Sequence, residues 1–221
     1  MQKDALQNVQ NQITVLLADD HPTTRTGIRT ILHETPDIRV VGESENGFQV
    51  QEMAAELRPN ILLLDLVMPG PTPAELEKWV RSNFPETVTL VLTAHDRDVY
   101  LTTMMDAGAA GFLSKTETGE SLILAIRRAA GGSSLYTEEQ FQRAMRWRQE
   151  AGNKIKELTR RELQILQFIS DGKDNKQISL KLEIATKTTA YHITNILSKL
   201  GVNSRHEASA WAHKHLPDNP E

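Results

Sequence analysis

Apolar positions in the first part of the chain gather into five short runs, at residues 13–18, 38–42, 61–64, 88–92 and 111–113. In several of them hydrophobic residues are consecutive rather than alternating, as in Ile61-Leu62-Leu63-Leu64, the pattern of a parallel strand covered on both faces. Amphipathic stretches lie between and after the runs, near 24–32, 48–57, 74–84, 99–107 and 120–130. This alternation predicts an open, doubly wound α/β sheet of five parallel strands, with right-handed crossovers placing helices on both faces.

Gly131-Gly132-Ser133-Ser134 ends the alternation. Thr137 and Gln140 have capping-box spacing and predict a polar helix to about Glu150, with Ala151-Gly152-Asn153 as a break. Short, strongly punctuated helices follow. Thr159 and Glu162 open the first, which stops near Gly172. Asn175 is expected to cap the second, through Leu182, and Thr186 the third, which runs to Leu200 and stops at Gly201. Ser204 and Glu207 open the fourth, with Pro217 beyond its end. Leu163, Leu166, Ile178, Leu182, Ile184, Ile193, Ile196, Leu197 and Leu200 are the expected core of this small all-α domain. The predicted organisation is an α/β domain at 13–134, a linker helix at 135–156 and a four-helix domain at 157–216.

Length and composition agree with two modest domains: 221 residues, 39% hydrophobic and 24% charged. The absence of cysteine excludes disulfides and thiolate metal sites. The opening dozen residues lack the apolar core of a signal peptide, and no apolar run nears the roughly 20 residues of a membrane span. A cytoplasmic protein without membrane contact is expected. The net charge of -4 hides an asymmetry: residues 154–215 carry 11 Lys and Arg against 6 Asp and Glu, leaving the remainder near -9. Only the basic part is suited to meet a polyanion.

In a doubly wound sheet, ligands bind beyond the carboxyl ends of the strands. Asp19 and Asp20 follow the first predicted strand, Asp65 the third, Thr93 ends the fourth, and Lys115 follows the fifth. Singly, each has an ordinary structural explanation as a cap, a turn residue, a strand end or a solvated charge. Five such groups at one rim make a coherent site. Three converging carboxylates form a hard-oxygen set for Mg²⁺ and leave one carboxylate as nucleophile, while an ammonium and a hydroxyl suit phosphoryl oxygens.

The segments LLADDHP, ILLLDLVMPG, Thr93-Ala94 and AGAAGFLSK resemble response-regulator receiver domains over about residues 13–132, which implies a flavodoxin-like (CheY-like) fold. The resemblance implies Asp65 as phosphoacceptor, Asp19 and Asp20 as the metal-binding pair and the Val67 main-chain carbonyl as a further Mg²⁺ ligand. It also implies Thr93 as switch hydroxyl, Lys115 as the site lysine and Phe112 as the switch aromatic. Pro73 stands where many receivers have glycine, and Thr116 where proline often follows the lysine.

The stretch LTRRELQILQFISDGKDNKQISLKLEIATKTTAYHITNILSKLGVNSR, within about 156–214, resembles the LuxR-type helix-turn-helix. The whole chain thus resembles the NarL/FixJ family of two-component response regulators. That implies a sensor histidine kinase and double-stranded DNA as partners and a homodimer on phosphorylation. RNA polymerase is a further expected partner, and the lack of a pocket-forming insertion and of a second nucleophile speaks against a turnover enzyme. The implied DNA-facing residues are Lys176, Lys187, Thr188, Ala190, Tyr191, Thr194, Asn195, Lys199 and Arg205, with Lys176, Lys187, Lys199 and Arg205 assigned to the phosphate backbone. Ala190, Tyr191 and Thr194 depart from the lysines or other polar groups common around the helix histidine. Thr189 replaces a usual valine. Ala208, Trp211 and Ala212 on the last helix form an expected dimer surface. A helical domain that binds protein rather than DNA is the alternative reading.

Overall fold

The computed structural model describes residues 12–217, so the polar opening stretch read as lacking a signal peptide lies outside it apart from Gln12. The chain divides into two compact units between Phe141 and Gln142.

The first unit contains five parallel strands, β1 (Ile13–Ala18), β2 (Ile38–Ser44), β3 (Ile61–Leu64), β4 (Val88–Thr93) and β5 (Gly111–Ser114), in the order β2-β1-β3-β4-β5. They match the five predicted runs, with β2, β4 and β5 continuing one or two residues further. The helices are α1 (Pro22–His33), α2 (Gly47–Leu57), α3 (Pro73–Asn83), α4 (Asp98–Ala107) and α5 (Gly119–Ala130). Central β1 and β3 explain the unbroken apolar runs, because Val15–Ala18 and Ile61–Leu64 are at most 1% exposed. Leu17, Leu63, Leu90 and Leu92 pack in one core cluster with Ile28 and Leu32 of α1 and Leu122 and Ile126 of α5. Leu16, between two residues of that cluster, lies instead beside Gly42 and so faces α2. The chain leaves β1 toward β2 on one side and returns to β3 on the other, so the switch point falls at the carboxyl ends of β1 and β3.

The loop after β3 packs on the start of α2. Gly47 N–H donates to the Pro69 carbonyl at 2.8 Å. Gly70 has φ +119°, and a Cβ there would stand 3.2 Å from the Gly47 nitrogen, so backbone approach and dihedral both require glycine. Pro73 takes the first helical position of α3 behind the Thr72–Glu75 capping box, where its missing N–H costs nothing.

Thr137 and Gln140 exchange the expected capping bonds at 3.0 and 3.2 Å, opening α6 (Glu138–Trp147). The break expected at Ala151-Gly152-Asn153 does not occur. The backbone remains helical through a π-helical turn, Arg148–Gly152, into α7 (Asn153–Glu157). Gly152 adopts an ordinary helical conformation (φ -58°, ψ -39°), since glycine permits a break without forcing one.

The second unit contains α8 (Arg160–Ser170), α9 (Asn175–Leu182), α10 (Thr186–Leu200) and α11 (Arg205–His215). Two expected caps move by one residue. Asp174 caps α9 in a reciprocal box with Gln177, while the Asn175 side chain accepts a bond from Arg205. Ala185 precedes α10, and Thr186 is already helical, its hydroxyl 3.2 Å from that of Ser179. Leu166, Ile178, Ile193, Ile196 and Leu200 are buried together, with Leu163, Leu182 and Leu197 packed against them; Ile184 is half-buried outside this cluster. Ala208 and Ala212, expected on a dimer surface, belong to the same core with Trp211 packed against it. Their small side chains let α11 lie close to α8.

Candidate functional site: an acidic sheet rim and an exposed helix face

The polar residues at the sheet rim converge because main-chain pairing continues one residue past the strands. Asp65 N–H donates to the Ala18 carbonyl at 2.9 Å, Asp19 N–H to Ser44 at 3.0 Å, and Lys115 N–H to Thr93 at 2.9 Å. Asp19 and Asp65 are buried, while Asp20 and Lys115 are half-buried. Lys115 Nζ lies 2.7 Å from Asp65 Oδ2 and 2.8 Å from Asp19 Oδ2. Burial by itself would lower the pKa of this ammonium. The bonds to Asp19 and Asp65 outweigh that effect and hold it above its ordinary value.

The other oxygen of Asp65, Oδ1, accepts the Leu66 N–H at 2.8 Å. Ligand atoms of Asp19, Asp20, His21 and Asp65 all lie within 4.8 Å of one another. Asp20 Oδ1 is shielded from solvent and accepts no hydrogen bond among the described residues, although His21 Nδ1 is 2.6 Å away. An acidic donor set with such an oxygen fits a divalent cation. Val67 is exposed on the loop two residues past Asp65.

Thr93 is fully buried, and its hydroxyl accepts the His95 N–H at 3.1 Å. Phe112 is buried beside Val91 in the β4–β5 register, and its carbonyl accepts the Gln140 side-chain amide at 2.9 Å. The Lys115–Thr116 peptide is trans, and Ser114 and Thr116 hydroxyls are 2.8 Å apart, so the loop closes without proline.

Two neighbours of the rim escaped sequence reasoning. His21 was signalled only by its place after Asp19-Asp20. Arg25, buried on α1, donates to the Asp19 carbonyl and to Glu45, both at 2.5 Å, and no local pattern marked it.

The second candidate site is the face of α10. Thr189, Ile193, Ile196 and Leu200 form its buried stripe. Lys187, Tyr191, Thr194 and Ser198 repeat the same spacing two residues out of phase, and all four are exposed. Thr188 and Ala190 are exposed at its edges, Asn195 is half-buried, and Lys176 on α9 is exposed. Lys199 and Arg205 behave differently. Lys199 Nζ lies 2.7 Å from the buried Glu162 carboxylate, and Arg205 donates to Asn175 Oδ1 at 3.0 Å and to the Lys173 carbonyl. Burial holds the Arg205 guanidinium below its usual value.

Two family descriptions fit these two parts and define a response regulator. The response regulator receiver domain matches residues 15–127, and the luxR family of bacterial regulatory proteins matches residues 156–212. Among curated relatives, the transcriptional regulatory protein LiaR of Bacillus subtilis (strain 168) is 38% identical over 91% of this chain and 97% of its own length. The nitrate/nitrite response regulator protein NarL of Escherichia coli (strain K12) is 36% identical over 93% and 97%. Among solved structures, RcsB from Salmonella enterica serovar Typhimurium, bound to promoter rprA in the presence of the phosphomimetic BeF3-, aligns with TM-score 0.61 and 26% identity. That alignment covers 91% of this chain and 99% of the RcsB chain. The chain belongs to the NarL/FixJ family of two-component response regulators, transcription regulators that join a receiver to a LuxR-type DNA-binding domain. Among the described residues, no helix is long and apolar enough to cross a membrane.

Proposed function

We propose that Asp65 is the phosphoacceptor and that its phosphorylation by a sensor histidine kinase, in the cytoplasm, controls dimerisation and the binding of double-stranded DNA. The supporting observation is the meeting of Asp65, Asp19 and Lys115 at one rim, within 2.8 Å of a shared ammonium. The functional domains are taken as residues 13–134 and 157–216, joined by 135–156.

Asp19, Asp20, Asp65 and the Val67 carbonyl would hold Mg²⁺, whose chemistry is to neutralise charge between the acidic rim and a phosphoryl donor. Asp65 Oδ2 attacks phosphorus as the bond from phosphorus to the kinase imidazole nitrogen breaks. Lys115 then pairs with a phosphoryl oxygen, and the Thr93 hydroxyl leaves His95 to donate to another. Phe112 packs inward in this switch. The protein transfers a phosphoryl group to itself and turns over no small substrate.

In the DNA-binding part, α10 enters the major groove by its N-terminal half. Lys176 and Lys187 meet backbone phosphates, and Thr188, Ala190, Tyr191, Thr194 and Asn195 face the bases. Lys199 and Arg205 brace the unit through Glu162 and Asn175.

Incubation with a small acyl phosphate and Mg²⁺, followed by mass spectrometry, should add one phosphoryl group to the wild type and none to Asp65→Asn. The phosphorylated protein should bind DNA more tightly. Normal labelling of Asp65→Asn would remove Asp65 as acceptor, and equal DNA affinities would remove the gating.

A further inference from the structure

One part of the exposed face of α10, formed by Ala190, Tyr191 and Thr194, offers methyl and ring carbon beside the hydrogen-bonding side chains of Thr188 and Asn195. Tyr191 is 65% exposed, and Ala190 beside it presents only a methyl. Thr194, one turn on, is also exposed, but its hydroxyl donates back to the Ala190 carbonyl at 3.2 Å. That bond uses the only donor of the hydroxyl, so Thr194 brings its γ-methyl and an acceptor oxygen, but no donor, to a base edge. Ala190, Tyr191 and Thr194 therefore form a small apolar patch opposite the buried stripe of Thr189, Ile193, Ile196 and Leu200.

A patch of this kind has one complementary feature on B-DNA. In the major groove, the thymine C5-methyl is the only apolar group among the base edges, whereas guanine, adenine and cytosine are read there through donors and acceptors. Ala190, Tyr191 and Thr194 supply no bidentate fork for guanine and no amide for adenine. Lys187, one turn before Tyr191 at the start of the helix, is a mobile point charge suited to the phosphate bordering the groove.

We infer that the apolar patch of Ala190, Tyr191 and Thr194 selects DNA half-sites by contact with thymine methyl groups, Tyr191 supplying most of the contact area. The inference rests on the DNA-binding reading above and adds its specificity. Within this patch Tyr191 is the residue that sets the thymine preference, and its ring rather than its hydroxyl carries it.

The test uses the full chain, phosphorylated, and a duplex recovered from a random pool by selection with this protein. Its affinity is compared, at one fixed salt concentration, with that of the same duplex carrying deoxyuridine for thymine in the bound half-sites. This exchange removes only the C5-methyl groups. Each buried methyl contributes about fourfold in affinity, so two or three contacts predict about a 15- to 60-fold loss. Tyr191→Phe should keep the difference between thymine and uracil duplexes, and Tyr191→Ala should abolish most of it. Equal affinities of wild type for the two duplexes, or selected half-sites without thymine, would overturn the inference and leave DNA binding intact. Failure to bind any duplex at low salt would overturn the DNA-binding reading and the inference with it.

Discussion

Lys199 Nζ and Glu162 Oε2 lie 2.7 Å apart, and the same carboxylate oxygen accepts the Thr159 N–H at 2.8 Å and the Thr159 hydroxyl at 2.9 Å. One oxygen thus closes the capping box that starts α8 and receives the cation that ends α10. The Glu162 side chain is 4% exposed and that of Lys199 32%. Burial alone would raise the Glu162 pKa, but the bonds from Lys199 and Thr159 outweigh it and hold the carboxyl below its ordinary range.

Lys199→Met keeps the aliphatic stem and removes the charge. It should lower unfolding stability by about 2 kcal/mol at neutral pH, read from urea denaturation. Because the folded pKa of Glu162 is depressed, its contribution is present above the ordinary value of 4.5 and is lost as pH falls through the folded pKa. The gap between wild type and variant should close in acid. An unchanged urea midpoint accompanied by weaker DNA binding would return Lys199 to the DNA surface.

Glu77 on α3 makes the opposite prediction. It is buried, and its Oε2 is shielded without a hydrogen-bond partner among the described residues. Burial pushes its pKa above the ordinary 4.5, and Thr89 and Arg81 oppose this without reversing it. For a raised acid, stability is fully present below the unfolded pKa and lost as pH rises through the folded one. Glu77→Gln should therefore gain on wild type in thermal unfolding as the pH rises above the ordinary carboxylate value of 4.5. Parallel pH profiles for the two proteins would show that Glu77 is charged when folded.

Lys115 holds a positive charge between Asp19 and Asp65, where a divalent cation would bring two more. Lys115→Ala should bind Mg²⁺ about fivefold more tightly in calorimetric titration while accepting phosphoryl groups more slowly. Weaker Mg²⁺ binding in the variant would mean that the lysine orders the carboxylates more than it competes with the metal. Chelation of the metal should stop phosphorylation of wild type.

Arg205 ties the start of α11 to Asn175 and the Lys173 carbonyl near the start of α9. Arg205→Ala should lower stability by about 1–3 kcal/mol in urea denaturation, because a half-buried carbonyl and amide lose a charged donor. A pure loss of DNA affinity at unchanged stability would contradict the bracing role.

The receiver rim was legible because a run such as Ile61-Leu62-Leu63-Leu64 followed by Asp65 fixes both the strand and the place where it ends. Caps were less legible. Asp174 and Asn175 are chemically similar and adjacent, and only the fold shows that Asp174 caps α9 while Asn175 is engaged by Arg205. The same holds for Ala208 and Ala212, whose small side chains suit a dimer surface or a close helix contact equally well in sequence.

By itself the sequence determined the five-stranded α/β unit, the helical unit and the acidic rim, since each follows from hydrophobic period and from residues at the ends of apolar runs. Tertiary structure decided which charges are free. Lys199 and Glu162 are 37 positions apart and Arg205 and Asn175 are 30, so no local pattern shows that they pair. A solvated lysine and a paired one read alike until folding brings the partner within hydrogen-bond distance, where burial makes the pairing matter.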